Sequence, residues 1–244
     1  MKRLTGRTLA TIILVIILGT ITSPSTVHAA SVTDIFAAMN TKVVEIYVSS
    51  LKEGSYTKNS AINFDLLFFN NKKLGKKVKN LFTDLPLGSK YSGKKYFHLY
   101  NTNGTIKSKN YYSSTQCWAF GAKFAADIFK MDSHGRDNNG DIKLAGKKIT
   151  ESTISYNTFK NNKIYSGSIL RTTNNDYTAG HTLVILAYSS QKIVIAESNY
   201  DGKCTVRIAV FTWSNFRNYI SKNGSRKINR IVIRKNYANY VNTL

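Results

Sequence analysis

Gly180-His181-Thr182-Leu183-Val184-Ile185-Leu186-Ala187-Tyr188 runs into the polar Ser189-Ser190-Gln191 and then, after Lys192, into Ile193-Val194-Ile195-Ala196-Glu197-Ser198-Asn199. Two short apolar runs around a polar turn read as an antiparallel hairpin. Alternation in the second run puts Ile193, Ile195, Glu197 and Asn199 on one face. That core face ends in two polar groups, and both need partners once buried. The hairpin brings Glu197 or Asn199 back beside His181, where an imidazole would satisfy one of them and be oriented by it.

Further strands are expected at Ser168–Arg171, Thr205–Thr212 and Ile228–Arg234, with another at Lys147–Thr150 and a short helix at Trp213–Ser221. Upstream, Cys117, Phe120, Phe124 and Ile128 share one face of a helix predicted from Gln116 to Met131, with Ser114-Thr115 available as its cap. Cys117 falls in the first turn. Residues 88–114, basic and rich in tyrosine, read as a long surface loop. Pro86 and Gly88 mark a boundary before it. Residues 31–82 read as helical, from the spacing of Ile35, Met39 and Val43 and a lysine-studded helix at Leu74–Phe82. Helices first and then an antiparallel meander define an α+β fold. The expected division is a signal peptide at 1–29, a helical N-terminal extension at 30–82 and the main domain at 83–244.

The signal peptide is expected from Lys2, Arg3 and Arg7 ahead of the apolar run Leu9–Leu18, with Val27-His28-Ala29 as the cleavage pattern. The run is too short to span a bilayer comfortably, so no stable membrane span is expected and secretion is the simpler reading. Of the formal +22, those three cations leave +19 on the mature chain. A field of that size draws the protein to polyanions: wall polymers such as teichoic acids, anionic lipid headgroups, or extracellular nucleic acid. Charge does not choose among them, and no specific nucleic-acid recognition is expected.

A thiol becomes a nucleophile as thiolate. A helix N-terminus favours that form through its partial positive charge, and its N–H groups lie where an oxyanion would develop. Cys117 has that setting. Cys204, at the start of a strand after a turn, has only the adjacent Lys203 to activate it. Export makes a Cys117–Cys204 disulfide the competing expectation. A thiol hydrolase also needs an imidazole as base and acid. The mature chain offers His98 in the basic loop, His134 in a Gly-rich turn, and His181 at the mouth of an apolar strand. Asp137-Asn138-Asn139-Gly140-Asp141 has the oxygens of a calcium loop, but Lys148 stands where the bidentate acid belongs, so a polar turn is expected. No cofactor or metal is called for.

Cys117, then His181 about sixty residues on, then Glu197-x-Asn199 about sixteen further, resembles the CHAP amidase/peptidase family, a branch of the papain-like NlpC/P60 superfamily. The matching stretches are Gln116-Cys117-Trp118-Ala119-Phe120, Gly180-His181-Thr182-Leu183-Val184 and Ala196-Glu197-Ser198-Asn199-Tyr200-Asp201-Gly202. The resemblance covers roughly residues 83–235. It implies a papain-like fold with Cys117 as nucleophile, His181 as general base and acid, Glu197 or Asn199 orienting the imidazole, and Gln116 shaping the oxyanion site. Ser168 stands where the family has Asp. The implied activity is hydrolysis of amide bonds in peptidoglycan peptides. A thiol-dependent toxin acting on a protein and a non-catalytic basic binding module are the alternatives.

Overall fold

The structure, a computed structural model, describes residues 32–91, 94–100, 106–113, 117–133, 140–143, 149–174, 180–222 and 224–244. The expected signal peptide, Gln116, His134, the Ser114-Thr115 cap and most of the Asp137–Asp141 loop lie outside them. Helix α1 (Val32–Ser50) leads to a short strand β1 (Gly54–Tyr56), and helices α2 (Phe64–Leu67) and α3 (Lys72–Asp84) follow. Asn63 caps α2 and Asn71 caps α3, each through its side-chain oxygen on backbone N–H groups of the first turn. Strands β2 (Lys94–Tyr100) and β3 (Ile106–Ser113) precede helix α4 (Cys117–Phe129). Then come β4 (Gly140–Lys143), α5 (Tyr156–Asn161), β5 (Ile169–Thr173), β6 (Gly180–Tyr188) and β7 (Lys192–Ser198). The chain finishes with β8 (Val206–Thr212), α6 (Trp213–Ser221), β9 (Lys227–Arg234) and α7 (Tyr237–Thr243).

Seven strands form one sheet in the order β1-β8-β7-β6-β5-β9-β4, antiparallel at every pairing. The fold is therefore α+β. Its central strands are apolar on both faces because both faces are covered. Val184, Val194 and Ile208 pack with Val48, Phe82, Phe120 and Phe124 on the side of α1, α3 and α4. Leu183, Ile185, Ile195 and Ala209 pack with Phe159 and Phe216 on the side of α5 and α6. One residue's slip in register would exchange the two sets, which fixes the pairing.

Two expectations are corrected. Residues 88–114 are not simply a loop, since β2 and β3 pair as an antiparallel hairpin. Its lysines and tyrosines lack the apolar alternation by which a strand is recognised. Of the strand expected at Lys147–Thr150, Lys147 and Lys148 lie outside the described residues and Ile149 and Thr150 belong to no strand, whereas Gly140–Lys143 forms one against β9; a run rich in Asn, Asp and Gly concealed it. Residues 44–82 share one hydrophobic core with α4 and the sheet, and β1 adds an edge strand through Gly54–Val210, Ser55–Ala209 and Tyr56–Ile208 pairs. The N-terminal helices are thus packed into the body of the protein, and Lys192 Nζ ties down the end of α1 by donating to the carbonyls of Ser49 (2.7 Å) and Leu51 (2.5 Å).

Candidate active site

Helix α4 is seated by a small residue. A Cβ on Gly121 would lie 2.6 Å from Thr182 Cγ2, so only glycine lets the first turns of α4 press onto β6. Gly180 has the same role between strands, because a Cβ there would fall 2.2 Å from the Thr172 carbonyl oxygen. Between these two close approaches His181 is fixed. It pairs with Thr172 across β5, and its N–H donates to Thr172 Oγ1 at 3.2 Å. Cys117, buried in the first turn of α4, is thereby brought to the end of β6. There its thiol hydrogen-bonds the His181 ring and receives the Thr182 backbone N–H.

On the other side of the ring, His181 Nε2 lies 2.5 Å from Glu197 Oε2. That engagement leaves Nδ1 for the thiol. Glu197 and His181 sit on the same face of adjacent strands and meet diagonally, since Glu197 is paired directly with Leu183. Glu197 is completely buried. A carboxylate in that position is tolerable only if its lone pairs are filled. Four donors fill them: His181 Nε2 and Tyr219 Oη (2.6 Å) on Oε2, and Arg207 Nε (2.7 Å) and Nη2 (2.6 Å) on Oε1.

Electrostatics follow from this packing. Burial by itself would raise the Cys117 pKa, but the His181 hydrogen bond and charge, the Thr182 N–H and the Arg171 charge together bring it below that of an ordinary thiol. Burial likewise opposes a charged imidazole. Hydrogen bonds and charge from Cys117 and Glu197 outweigh it and push His181 up to about 9. For Glu197, desolvation raises the pKa and is overcome by His181, Arg207 and Tyr219, so the carboxyl is held below its usual value. All three shifts run in the direction that favours the charged form of each group.

Asn199 does not share this work. Its φ of 63° puts it in the left-handed region at the start of a turn, and its Oδ1 accepts the Cys204 N–H at 3.0 Å. Asp201 secures the same turn by accepting from Lys203 N–H and Thr205 Oγ1. The turn sets the Tyr200 ring 3.6 Å from the Arg207 guanidinium carbon. Of the two candidates for orienting the imidazole, the contact is made by Glu197. Cys117 and Cys204 are not joined in a disulfide. Ser168 is buried and donates to the Tyr165 carbonyl at 2.6 Å.

Two residues of the cluster, Arg207 and Tyr219, do not emerge from sequence reasoning. Arg207 interrupts the apolar run Val206-Arg207-Ile208-Ala209-Val210, and a buried charge just inside the start of such a strand is the signal that marks it. Tyr219 shares a helix face with Phe216 and reads as core. The N-terminal segment also reaches the cluster. Arg207 Nη1 donates to Ser55 Oγ in β1, and Glu53 accepts from the Thr212 N–H and Asn215 Nδ2 at the start of α6, which carries Tyr219. Beside His181 opens a polar cleft of about 450 Å³, bounded by the Asn199–Tyr200 turn and by α6 and the residues after it. Among the described residues no group of His, Cys, Asp and Glu could hold a metal ion, and no helix is long and apolar enough to cross a membrane.

No family model matches the chain, and no curated protein matches it. Among solved structures it is similar to the crystal structure of Ly7917, with 11% identity and a TM-score of 0.25, over 78% of this chain and 62% of that one. Similar too is the crystal structure of Ly7917 with the hydrolyzing product of MDP, with 10% identity and a TM-score of 0.25, over 78% and 61%. The chain thus spans less than two thirds of their length, and a likeness of this degree carries no argument about fold or chemistry.

Proposed function

We propose that this protein is an exported cysteine hydrolase of papain-like, CHAP-type architecture that cleaves amide bonds in peptidoglycan peptides. The observation that carries the reading is the buried chain of contacts from Cys117 through His181 to Glu197. The Cys117 thiolate attacks the carbonyl carbon, and the oxyanion forms near the N-terminus of α4, where backbone N–H groups have no partner within the helix. His181, protonated at Nδ1, gives that proton to the leaving nitrogen as the C–N bond breaks. A thioester remains on Cys117. Water then attacks it, His181 takes the water's proton, and the acid is released with the thiolate restored. Glu197 keeps Nε2 engaged, so the ring presents Nδ1 to the sulfur and its positive charge is compensated. Gln116, adjacent to Cys117 in sequence, is assigned to the oxyanion site by the family resemblance alone. The net charge of +19 expected after signal removal holds the enzyme on an anionic wall.

The test is loss of turbidity and release of new amines from purified peptidoglycan by the mature protein and by Cys117→Ala. Lysis by the wild type alone, weakened by high salt, is expected. Equal release by both proteins, or none by either, contradicts the reading. Cys117-dependent cleavage of protein amides with intact peptidoglycan would move the chemistry to a protein substrate.

A further inference from the structure

We infer that the cleft beside His181 receives the amine-side half of the substrate and that Lys222 and Arg226 select a leaving group bearing a carboxylate. This rests on the assignment of Cys117 and His181 as nucleophile and proton donor. The direction of the substrate follows from proton transfer: the leaving nitrogen takes its proton from His181, so the substrate atoms beyond that nitrogen lie on the imidazole's side. The cleft of about 450 Å³ lies past the imidazole from the thiol, one ring's width from Nδ1: His181 and Tyr219, which neighbours Nε2, border it and Cys117 does not.

The lining determines what would fit. Asn218 on α6 offers an amide suited to a peptide and Asn215 the oxygen of one whose nitrogen is held by Glu53, while Lys222 and Arg226 supply two cations. No acidic side chain lines the cleft, and among the described residues neither cation pairs with a carboxylate. Both are held by backbone rather than by charge. Lys222 caps α6 at φ 46°, its N–H bonded to the Asn218 and Tyr219 carbonyls, and the Arg226 N–H donates to the Ser221 carbonyl at 2.8 Å. Glu53 and Asn215 fasten the other end of the helix. Two cations on a fixed rim, beside the group that protonates the leaving amine, suit a carboxylate on the residue whose nitrogen is released.

The experiment uses one stem peptide cleaved by the wild type, made with either a free carboxylate or a carboxamide on its amine-side residue. kcat/KM is measured for both at low ionic strength, with wild type, Lys222→Gln/Arg226→Gln and Cys117→Ala. Wild type should prefer the carboxylate by about fivefold, the range of partly exposed ion pairs, and the ratio should collapse toward one in the double variant. Equal rates with wild type, or a preference that survives both substitutions, would overturn the inference and leave the hydrolase reading standing. Turnover of either peptide that persists in Cys117→Ala would overturn the hydrolase reading and the inference with it.

Discussion

Strands β6, β7 and β8 have two ends of opposite chemistry. At one, His181, Glu197 and Arg207 are buried beside the half-buried Tyr219. At the other, Tyr188 leans on Tyr156 and Phe159, and Phe159 packs edge-on against Trp213 and Phe216. Within the aromatic cluster, Tyr188 Oη donates to the Ile164 carbonyl at 2.8 Å and Trp213 Nε1 to the Ser189 carbonyl at 3.0 Å. Aromatic contact stabilises without desolvating charge. A buried ion cluster of similar size gives back much of its attraction in lost hydration. The same strands therefore hold the fold together at one end and keep an expensive, organised charge arrangement at the other, next to a thiol.

Substitutions should separate the two ends. Cys117→Ala is expected to have the largest effect on activity, removing turnover by at least about a thousandfold with little change in stability, since it deletes the nucleophile from a buried small-residue site. Glu197→Gln should damage both properties: kcat falls by about a hundredfold or more as the imidazolium loses its partner, and Arg207 is left without a counter-charge, costing about 3–5 kcal/mol by chemical denaturation. Phe159→Ala should cost about 3–5 kcal/mol through transfer and cavity formation, while activity per folded molecule stays near wild type. A comparable activity loss there would break the division between the ends.

The pH dependence sharpens it further. With His181 raised to about 9, the alkaline limb of kcat/KM should fall near that pH, and in a Glu197→Gln protein it should move down because the carboxylate no longer holds the proton. Glu197 works on stability with the opposite sense. Its folded pKa is depressed, so its contribution is present above its ordinary value of 4.5 and lost as pH falls through the lower folded one. Wild type should thus lose stability on acidification below 4.5 more steeply than Glu197→Gln. Ser55→Ala should have the smallest effect, about 1 kcal/mol from one hydrogen bond to Arg207, with a modest drop in kcat.

Much of this was legible in the sequence where one local pattern decided it. The β6–β7 hairpin follows from its two apolar runs, and α6 from the Trp213–Ser221 spacing. Cys117 at a helix start, His181 at a strand mouth and Glu197 on the facing strand were all readable. The choice between Glu197 and Asn199 was not, because both have the same parity and only the backbone turning left-handed at Asn199 separates them. Arg207, Tyr219 and Ser55 were hidden for another reason: Arg207 reaches Glu197 from the neighbouring strand and Tyr219 from α6, Ser55 bonds Arg207 from β1, and no single segment contains these contacts. The hairpin at 94–113 lacked the alternation that marks a strand with a buried face.

The most direct measurement is the rate of Cys117 alkylation by iodoacetamide as a function of pH, in a Cys204→Ser background so that one thiol reports. The expected profile has its midpoint below the ordinary thiol value of about 8.5 and shifts upward when His181→Ala is added. A midpoint at the ordinary value, unmoved by His181→Ala, would contradict a thiolate–imidazolium pair at the end of β6.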